Sequence, residues 1–456
     1  MKAANDMTRT TADSPTVDLR EHLERAPMSP YQWVIVAAAV LLNALDGFDV
    51  AAMSFVSASV EREFGLSGTV LGVVISGTLI GMAIGSVVLG RVADVIGRRL
   101  AVLGSVALAT AGMYLAATAQ DVVQLGVWRV LTGLGVGGIL ASITVITAEY
   151  SSRRWRGLAI GIYSAGYGVG ATLGGIAAVG LQADLGWRSV FLAGAIASTV
   201  LFVALVVVLP ESVQFLQYRR PAHALASLRR IARRVGFDPE RAALPAREER
   251  DPAEAARAGL SGLFAPGVRA ASLLLWASFF TVMFAFYFVN SWTPRLMVEA
   301  GMTVDQGVVV GMALAIGGAA GSVLYGLLAA RVSRERLLVV FLVAGAASIV
   351  VFVLSTAVLF AAFALGVVVG LLVNACIAGL YTIAPTRYAT SARATGVGAA
   401  LGVGRAGAIL APIAAGALLD AGWTNVALYS STAALLLIGA VAVVLLGRRP
   451  VAHDIG

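Results

Sequence analysis

Twelve long apolar segments dominate this chain and restrict the folds open to it. A hydrocarbon core about 30 Å thick is crossed by a helix of about 20 residues, and each segment is about that long. The predicted spans are 32–57, 69–92, 99–119, 121–148, 157–181, 187–209, 269–292, 305–330, 337–356, 357–385, 394–419 and 423–447. Because 59% of the residues are hydrophobic and only 13% are charged, a soluble protein of this size would lack polar surface. The sequence therefore predicts an all-α polytopic membrane protein.

The longest polar break, residues 210–268, separates the spans into two sets of six. The predicted domains are a tail at 1–31, a six-helix bundle at 32–209, the linker at 210–268, a second six-helix bundle at 269–447 and a tail at 448–456. The bundles are related in sequence, since GMAIGSVVLGRVADVIGRR from Gly81 realigns without a gap on GGAAGSVLYGLLAARVSRER from Gly317. Parallel repeats of this kind place a substrate site between the halves, near the middle of the membrane.

Basic residues lie almost entirely on one side of the predicted spans. Of the 33 lysines and arginines, three fall in loops of the other side (Arg62, Arg188 and Arg295) and two fall within spans (Arg129 and Arg405). The positive-inside rule then predicts that both termini are cytoplasmic, in a bacterial-type inner membrane. The same distribution explains the net charge of +8, so no nucleic-acid partner is predicted.

Two motifs of the first bundle resemble signatures of the major facilitator superfamily. GRVADVIGRR, from Gly90 to Arg99, resembles the loop after the second helix, although Val92 stands where leucine is usual. RVLTGLGVGG, from Arg129, resembles a helix-4 motif that is often linked to proton coupling. An ordinary basic loop and a structural ion pair are the alternatives. The resemblance implies a conformational latch made of Gly90, Asp94, Gly97, Arg98 and Arg393.

The segment DGFDVAAMSF in the first span is similar to the D-G-x-D signature of the aromatic acid:H⁺ symporter family. Further matches follow in the family's order: AEYSSRRWRG at 148–157, PESVQFL at 210–216, FYFVNSWTPRLMVEAG at 286–301 and TRYATSARATGVGAALGVGRAGAILAP at 386–412. Ala171 replaces a proline of the superfamily's antiporters, which argues against drug efflux. The resemblance implies functional roles for Asp46, Asp49, Asp94, Arg129, Glu149, Arg393 and Arg405.

The two acids of the first span are three residues apart, so Asp46 and Asp49 lie on one face of the helix, which Asn43 extends. Acids within a span are costly and are usually functional. All three histidines lie in tails or the linker, so carboxylates must carry any transported proton. Asp46 and Asp49 are the leading candidates, ahead of Glu149. The alternative is that both simply pair with Arg129 and Arg405.

An anionic substrate that leaves water needs a cation to replace its hydration shell. The only basic residues within the predicted spans are Arg129 and Arg405. A guanidinium grips a carboxylate through two hydrogen bonds. We assign Arg405 to the substrate and Arg129 to coupling. The seventh span adds side chains that supply aromatic stacking and a polar contact for a ring: Phe284, Tyr287, Phe288, Asn290 and Trp292. Packing or lipid contact is their alternative role, and Tyr163, Tyr167 and Tyr381 are weaker candidates.

These features predict a secondary transporter that imports small aromatic carboxylates, such as benzoate or hydroxybenzoate, by proton symport with alternating access. A symporter of non-aromatic acids and a non-transporting sensor are the alternatives, and coupling to Na⁺ stays open. The chain has no H-E-x-x-H, G-x-S-x-G or Walker-type loop, so it is not predicted to be an enzyme. No catalytic residue, metal or cofactor is predicted, and a monomer is expected to suffice.

Overall fold

A computed structural model describes residues 19–241, 244, 263–264, 268–355, 358–388 and 392–449 of the chain. The described residues form 15 α-helices, and 12 of these are long and apolar enough to cross a membrane. The predicted number of spans is therefore confirmed. The predicted junction of the ninth and tenth spans, at 356–357, lies outside the described residues.

The first half contains nine helices, of which α2 to α7 are the spans. They are α1 Leu19–Arg25, α2 Pro30–Phe64, α3 Gly68–Ile96, α4 Arg98–Ala117, α5 Val122–Glu149, α6 Arg156–Leu185, α7 Arg188–Val208, α8 Val213–Arg219 and α9 Ala224–Val235. All six helices of the second half are spans. They are α10 Arg269–Glu299, α11 Val304–Ala329, α12 Arg334–Leu354, α13 Leu359–Ile383, α14 Arg393–Asp420 and α15 Asn425–Gly447.

Small polar residues fix where several spans begin. The Ser29 hydroxyl accepts a hydrogen bond from the backbone N–H of Gln32, and the side-chain oxygen of Gln32 accepts one from the backbone N–H of Ser29. Thr303 and Gln306 form the same capping box at α11. Each box satisfies backbone donors that the first helical turn leaves free. Between α3 and α4 the chain turns at Gly97, whose φ of 103° favours glycine.

The repeated sequence performs the same packing task in both halves. Gly81 and Gly85 of α3 lie directly against the backbone of α5, so that a side chain at either position would overlap it. Their counterparts Gly317 and Gly321 lie in the same way against α13. Small residues let membrane helices approach closely where no hydrophobic effect drives them together. The internal repeat is therefore a repeat of helix packing, and the two bundles are pseudo-symmetric.

The two halves meet through α3 with α14, α6 with α11, and α2 with α10. We call the membrane face where α2 begins and α15 ends the terminal face. On α14, Ile409 and Gly416 contact α3, whereas a side chain at Gly402, two turns nearer the terminal face, would meet no atom within 4 Å. On α6, Gly168 contacts α11, and a side chain at Gly161 would likewise meet no atom. The halves are thus closed at the opposite face and separated toward the terminal face by a space that we call the central cleft.

Helices α1, α8 and α9 cover the terminal face of the first half only. Leu19 and Leu23 are buried in the same apolar cluster as Ile231 and Val235 of α9. The Arg153 guanidinium lies 2.9 Å from the Glu24 carboxylate, and this hydrogen bond holds the pKa of Glu24 below its usual range. Part of the predicted linker therefore folds against the first bundle.

Candidate functional site

Asp49 and Arg129 form a fully buried ion pair between α2 and α5. The two guanidinium nitrogens lie 2.5 and 3.0 Å from the two carboxylate oxygens, and one of them also donates to the Asp49 carbonyl. Both side chains have 0% exposure. The guanidinium also lies 5.2 Å from the centre of the Phe191 ring. Each charge has its counter-charge in place, so this pair holds two helices of the first half together.

Asp46, one turn before Asp49, is in a different environment. It is 5% exposed, and its Oδ1 atom has no hydrogen-bond partner among the described residues. It interacts electrostatically with Arg405 of the second half and with Asp49. A buried carboxylate without donors is costly unless a cation faces it or a proton neutralises it. Asp46 is therefore the one of these two acids with a carboxyl oxygen that no donor among the described residues satisfies.

Arg405 lies near the middle of α14 and is half-buried. Within the described part of the chain its guanidinium has neither a hydrogen-bond acceptor nor a salt-bridge partner within 4.0 Å. It lies seven residues after Gly398 and seven before Pro412, so these three share a face of α14. Pro412 contacts α3, while a side chain at Gly398 would meet no atom within 4 Å. Arg405 therefore sits where the central cleft begins.

Tyrosines from three helices lie near Arg405. It interacts electrostatically with Tyr167 of α6, Tyr287 of α10 and Tyr381 of α13. Tyr287 is 8% exposed, whereas Tyr381 is 48% exposed although it belongs to a membrane span. Its ring is 6.0 Å from that of Phe279 on α10. The structure thus brings Tyr167 and Tyr381, weak candidates in the sequence, to the same place as the predicted Tyr287.

The other predicted substrate residues take different positions. The Asn43 amide donates to the Tyr163 carbonyl at 2.8 Å, which ties α2 to α6 beside the cleft. The Asn290 amide donates to the Phe286 carbonyl of its own helix. Trp292 is fully buried and donates to the Pro412 carbonyl, so in this conformation it does not line the cleft. Its place is in the contact between α10 and α14, because it lies past the point where the halves close.

Glu149 lies far from the other coupling candidates. It ends α5, 20 residues after Arg129, and a helical rise of about 1.5 Å per residue separates the two by about 30 Å. Both carboxylate oxygens accept from the Ser212 hydroxyl, at 2.9 and 2.8 Å, at the start of α8. Arg129 and Glu149, the two charged residues to which the resemblance assigns roles on this helix, therefore do not contact each other.

The predicted latch residues are also apart in this conformation. Asp94 is exposed and lies 3.5 Å from Arg98, four residues along the same segment. The backbone amide of Arg98 donates to Glu211 at the end of the first bundle. Gly90 faces α5 and Gly97 faces Glu211. Arg393 begins α14, and its Nε atom has no partner among the described residues. A latch between the halves is absent from these contacts, as the open terminal face requires.

Sequence reasoning missed the contacts that close the opposite face. Asp420, just beyond the predicted eleventh span, accepts from the Gly68 and Thr69 amides at 2.7 and 2.8 Å. Glu61 and Arg295 form a two-pronged ion pair between α2 and α10, at 2.7 and 2.8 Å. In the sequence, these contacts are marked only by a charged residue at the outer end of a span. A hydropathy analysis assigns such a residue to a loop.

This arrangement agrees with comparisons to known proteins. The family model of the Major Facilitator Superfamily matches residues 39–378. The chain belongs to the major facilitator superfamily. The structure of the xylose transporter XylE from Escherichia coli, in a partially occluded inward-open conformation, superposes with a TM-score of 0.71 at 16% identity. The overlap covers 93% of this chain and 99% of XylE. The predicted fold of two pseudo-symmetric six-helix bundles is confirmed.

Relatives within the superfamily are named for aromatic acids. The gallate transporter of Pseudomonas putida is 31% identical, and the match covers 91% of this chain and 92% of that protein. The 4-hydroxybenzoate transporter PcaK of Pseudomonas aeruginosa is 32% identical, with coverage of 89% and 90%. The resemblance to the aromatic-acid branch is therefore confirmed. Like its relatives, this member of the superfamily is a multi-pass membrane transporter and not an enzyme.

Proposed function

We propose that this chain imports small aromatic carboxylates by proton symport, with Arg405 binding the carboxylate and Asp46 carrying the proton. The observation that supports this most is that two charged groups, one in each half, interact electrostatically without forming a salt bridge. Arg405 has no acceptor among the described residues, and the acid that interacts with it has a carboxyl oxygen without a donor. The names of the relatives supply the substrate class.

The proposed coupling is a competition for one cation. While Asp46 is ionised, its charge balances that of Arg405, and a second carboxylate near the guanidinium would be repelled. A proton on Asp46 removes that balance, so a substrate carboxylate becomes the preferred counter-ion of Arg405. Proton and substrate therefore load together. Asp49 takes no part in this exchange, because the buried pair with Arg129 already neutralises it.

The proposed orientation places the terminal face in the cytoplasm of a bacterial cell, as the distribution of basic residues predicts. The conformation described here is then inward-facing, with the gate toward the outside closed by Asp420 and by the pair of Glu61 and Arg295. Alternation would open that gate and bring Asp94 and Arg393 together at the terminal face. A single chain contains the whole proposed site, so a monomer is sufficient.

Uptake into proteoliposomes tests this proposal. The wild-type protein should accumulate labelled 4-hydroxybenzoate when an inward proton gradient is imposed, and Asp46→Asn should abolish accumulation. Asp184→Asn is the matched control, since Asp184 is an exposed acid at the end of α6, away from the cleft. Accumulation of aliphatic acids alone would overturn the substrate class. Full gradient-driven accumulation by Asp46→Asn would overturn the assignment of the proton.

A further inference from the structure

Three phenolic hydroxyls beside Arg405 have hydrogen-bonding capacity that the protein leaves unused. Within the described ranges, the hydroxyls of Tyr167, Tyr287 and Tyr381 make no hydrogen bond to another protein group. Two other buried tyrosines behave differently: the Tyr429 hydroxyl is 2.8 Å from that of Thr293, and the Tyr150 hydroxyl donates to the Glu211 carbonyl at 2.8 Å. Buried tyrosine hydroxyls usually find such a partner. The buried Tyr388 hydroxyl also lacks a partner among the described residues, but Tyr167, Tyr287 and Tyr381 are the three that interact with Arg405 at the proposed carboxylate site.

The three tyrosines come from both halves of the molecule, Tyr167 from α6 and Tyr287 and Tyr381 from α10 and α13. The backbone of Tyr167 lies against Gly47 so closely that a side chain at Gly47 would overlap its carbonyl, which fixes Tyr167 next to Asp46. The ring of Tyr287 is 5.1 Å from that of Phe286, edge to face. Tyr287 also interacts electrostatically with Tyr167 and with Tyr381. The three side chains therefore lie close enough to one another to interact electrostatically, beside Arg405.

We propose that Tyr167, Tyr287 and Tyr381 are specificity-determining residues that select aromatic carboxylates bearing hydroxyl groups on the ring. The inference rests on the proposed function, since it assumes that Arg405 holds the carboxylate. With that end of the substrate fixed, the ring lies among the tyrosines, and a ring hydroxyl meets groups that both donate and accept. A ring without a hydroxyl group would cover the same tyrosine hydroxyls and offer them no hydrogen-bond partner.

The expected discrimination follows from the cost of an unpaired polar group. One hydrogen bond contributes about 0.5–1.5 kcal/mol net, which corresponds to a factor of up to about ten in affinity. A site that merely stacks on the ring would show no such dependence, since benzoate and 4-hydroxybenzoate have similar aromatic faces. The ratio of their dissociation constants therefore separates hydrogen-bond selection from stacking.

Calorimetric binding to the purified full-length protein in lipid nanodiscs measures that ratio. The wild type should bind 4-hydroxybenzoate about tenfold more tightly than benzoate. At least one of Tyr167→Phe, Tyr287→Phe and Tyr381→Phe should bring the ratio of the two constants close to one. Tyr114→Phe is the matched control, because Tyr114 is 38% exposed on α4 and its hydroxyl lies 3.3 Å from that of Thr199.

The possible outcomes separate the inference from the proposed function. A wild-type ratio near one, with both acids bound, would overturn the selectivity while leaving the transport of aromatic acids intact. A tenfold ratio that none of the three phenylalanine variants changes would overturn the assignment to these tyrosines. Binding of neither acid by the wild type would overturn the proposed function, and the inference with it.

Discussion

At the scale of the residue, Asp46 and Asp49 show how one helix face can hold two acids with different roles. Asp49 is fully buried against a guanidinium that contacts both of its oxygens. Asp46 faces the other half of the molecule and has a carboxyl oxygen without a partner among the described residues. The first arrangement favours stability, while the second suits the proton-carrying role proposed for Asp46.

Replacing the two acids by asparagine should therefore affect stability unequally. Asp49→Asn leaves the buried Arg129 without its counter-charge, and breaking such a pair costs about 3–5 kcal/mol. Asp46→Asn removes a carboxylate whose Oδ1 atom has no donor among the described residues, and the Arg405 charge that it balances is only half-buried, so its melting temperature should fall much less. A thiol-reactive dye can follow unfolding, because the single Cys376 is buried. Equal destabilisation by both substitutions would contradict the distinct roles.

The sequence could nominate these acids but could not assign their partners. Acids in an apolar span are conspicuous, which is why Asp46 and Asp49 are predictable, as are Arg129 and Arg405. Which acid meets which arginine depends on contacts across 80 residues of chain and on the separation of the halves. Local patterns contain no information about either. The same limit explains why the partner of Glu149 was not predicted, since Ser212 lies 63 residues away in the predicted linker.

At the scale of the element, the contact between α3 and α14 forms the closed gate. Gly68 and Gly72 of α3 lie against the backbone of Gly416 and Pro412, and Ser76 donates to the Ile409 carbonyl at 2.8 Å. Asp420 adds a charged cap to the first turn of α3. A carboxylate at a helix N-terminus satisfies free amides and interacts favourably with the helix dipole.

Weakening this gate should expose its interior to the opposite side of the membrane. Hydrogen bonds to a charged group contribute roughly 1.5–3 kcal/mol, so Asp420→Asn and Glu61→Gln should each raise the open population about tenfold or more. The readout is labelling of Ser76→Cys by an impermeant thiol reagent, since Ser76 is fully buried. Glu63→Gln is the control, because Glu63 pairs with Arg188 inside the first half. Unchanged labelling in both gate variants would contradict the account.

Element positions are predictable where hydropathy defines them and less so beyond the membrane. All twelve spans are found from the sequence, but α2 continues to Phe64, past the predicted end at 57. The prediction stops early because the last turns of α2 carry the charged residues Glu61, Arg62 and Glu63. Hydropathy marks the apolar part of a helix and not its end. The short helices α8 and α9 escape prediction for a related reason, since their stability comes from packing on the first bundle.

At the scale of the whole molecule, the two halves behave as separate bodies around the central cleft. Contacts between them are concentrated at the opposite face, and the latch residues of the terminal face lie apart. Neither feature is available from the sequence, which specifies two bundles without specifying the state of the gate. A transporter must populate both states, so the free-energy difference between them has to be small.

The proposed exchange also predicts how the membrane potential acts. One proton on Asp46 and one carboxylate on Arg405 carry no net charge across the membrane. Uptake should therefore respond to a pH gradient and be nearly insensitive to a potassium diffusion potential set by valinomycin at equal pH. The measurement is the initial rate of uptake into proteoliposomes under each gradient separately. Uptake driven by the potential alone would require a second coupling ion.

The central claim is that one proton binds Asp46 when a carboxylate binds Arg405. Titration calorimetry of 4-hydroxybenzoate in buffers of different ionisation enthalpy gives the number of protons taken up per substrate bound. We predict about one proton for the wild type near neutral pH and none for Asp46→Asn, which keeps Arg405 free to bind the acid. No proton uptake by the wild type, or the same uptake by Asp46→Asn, would contradict the account.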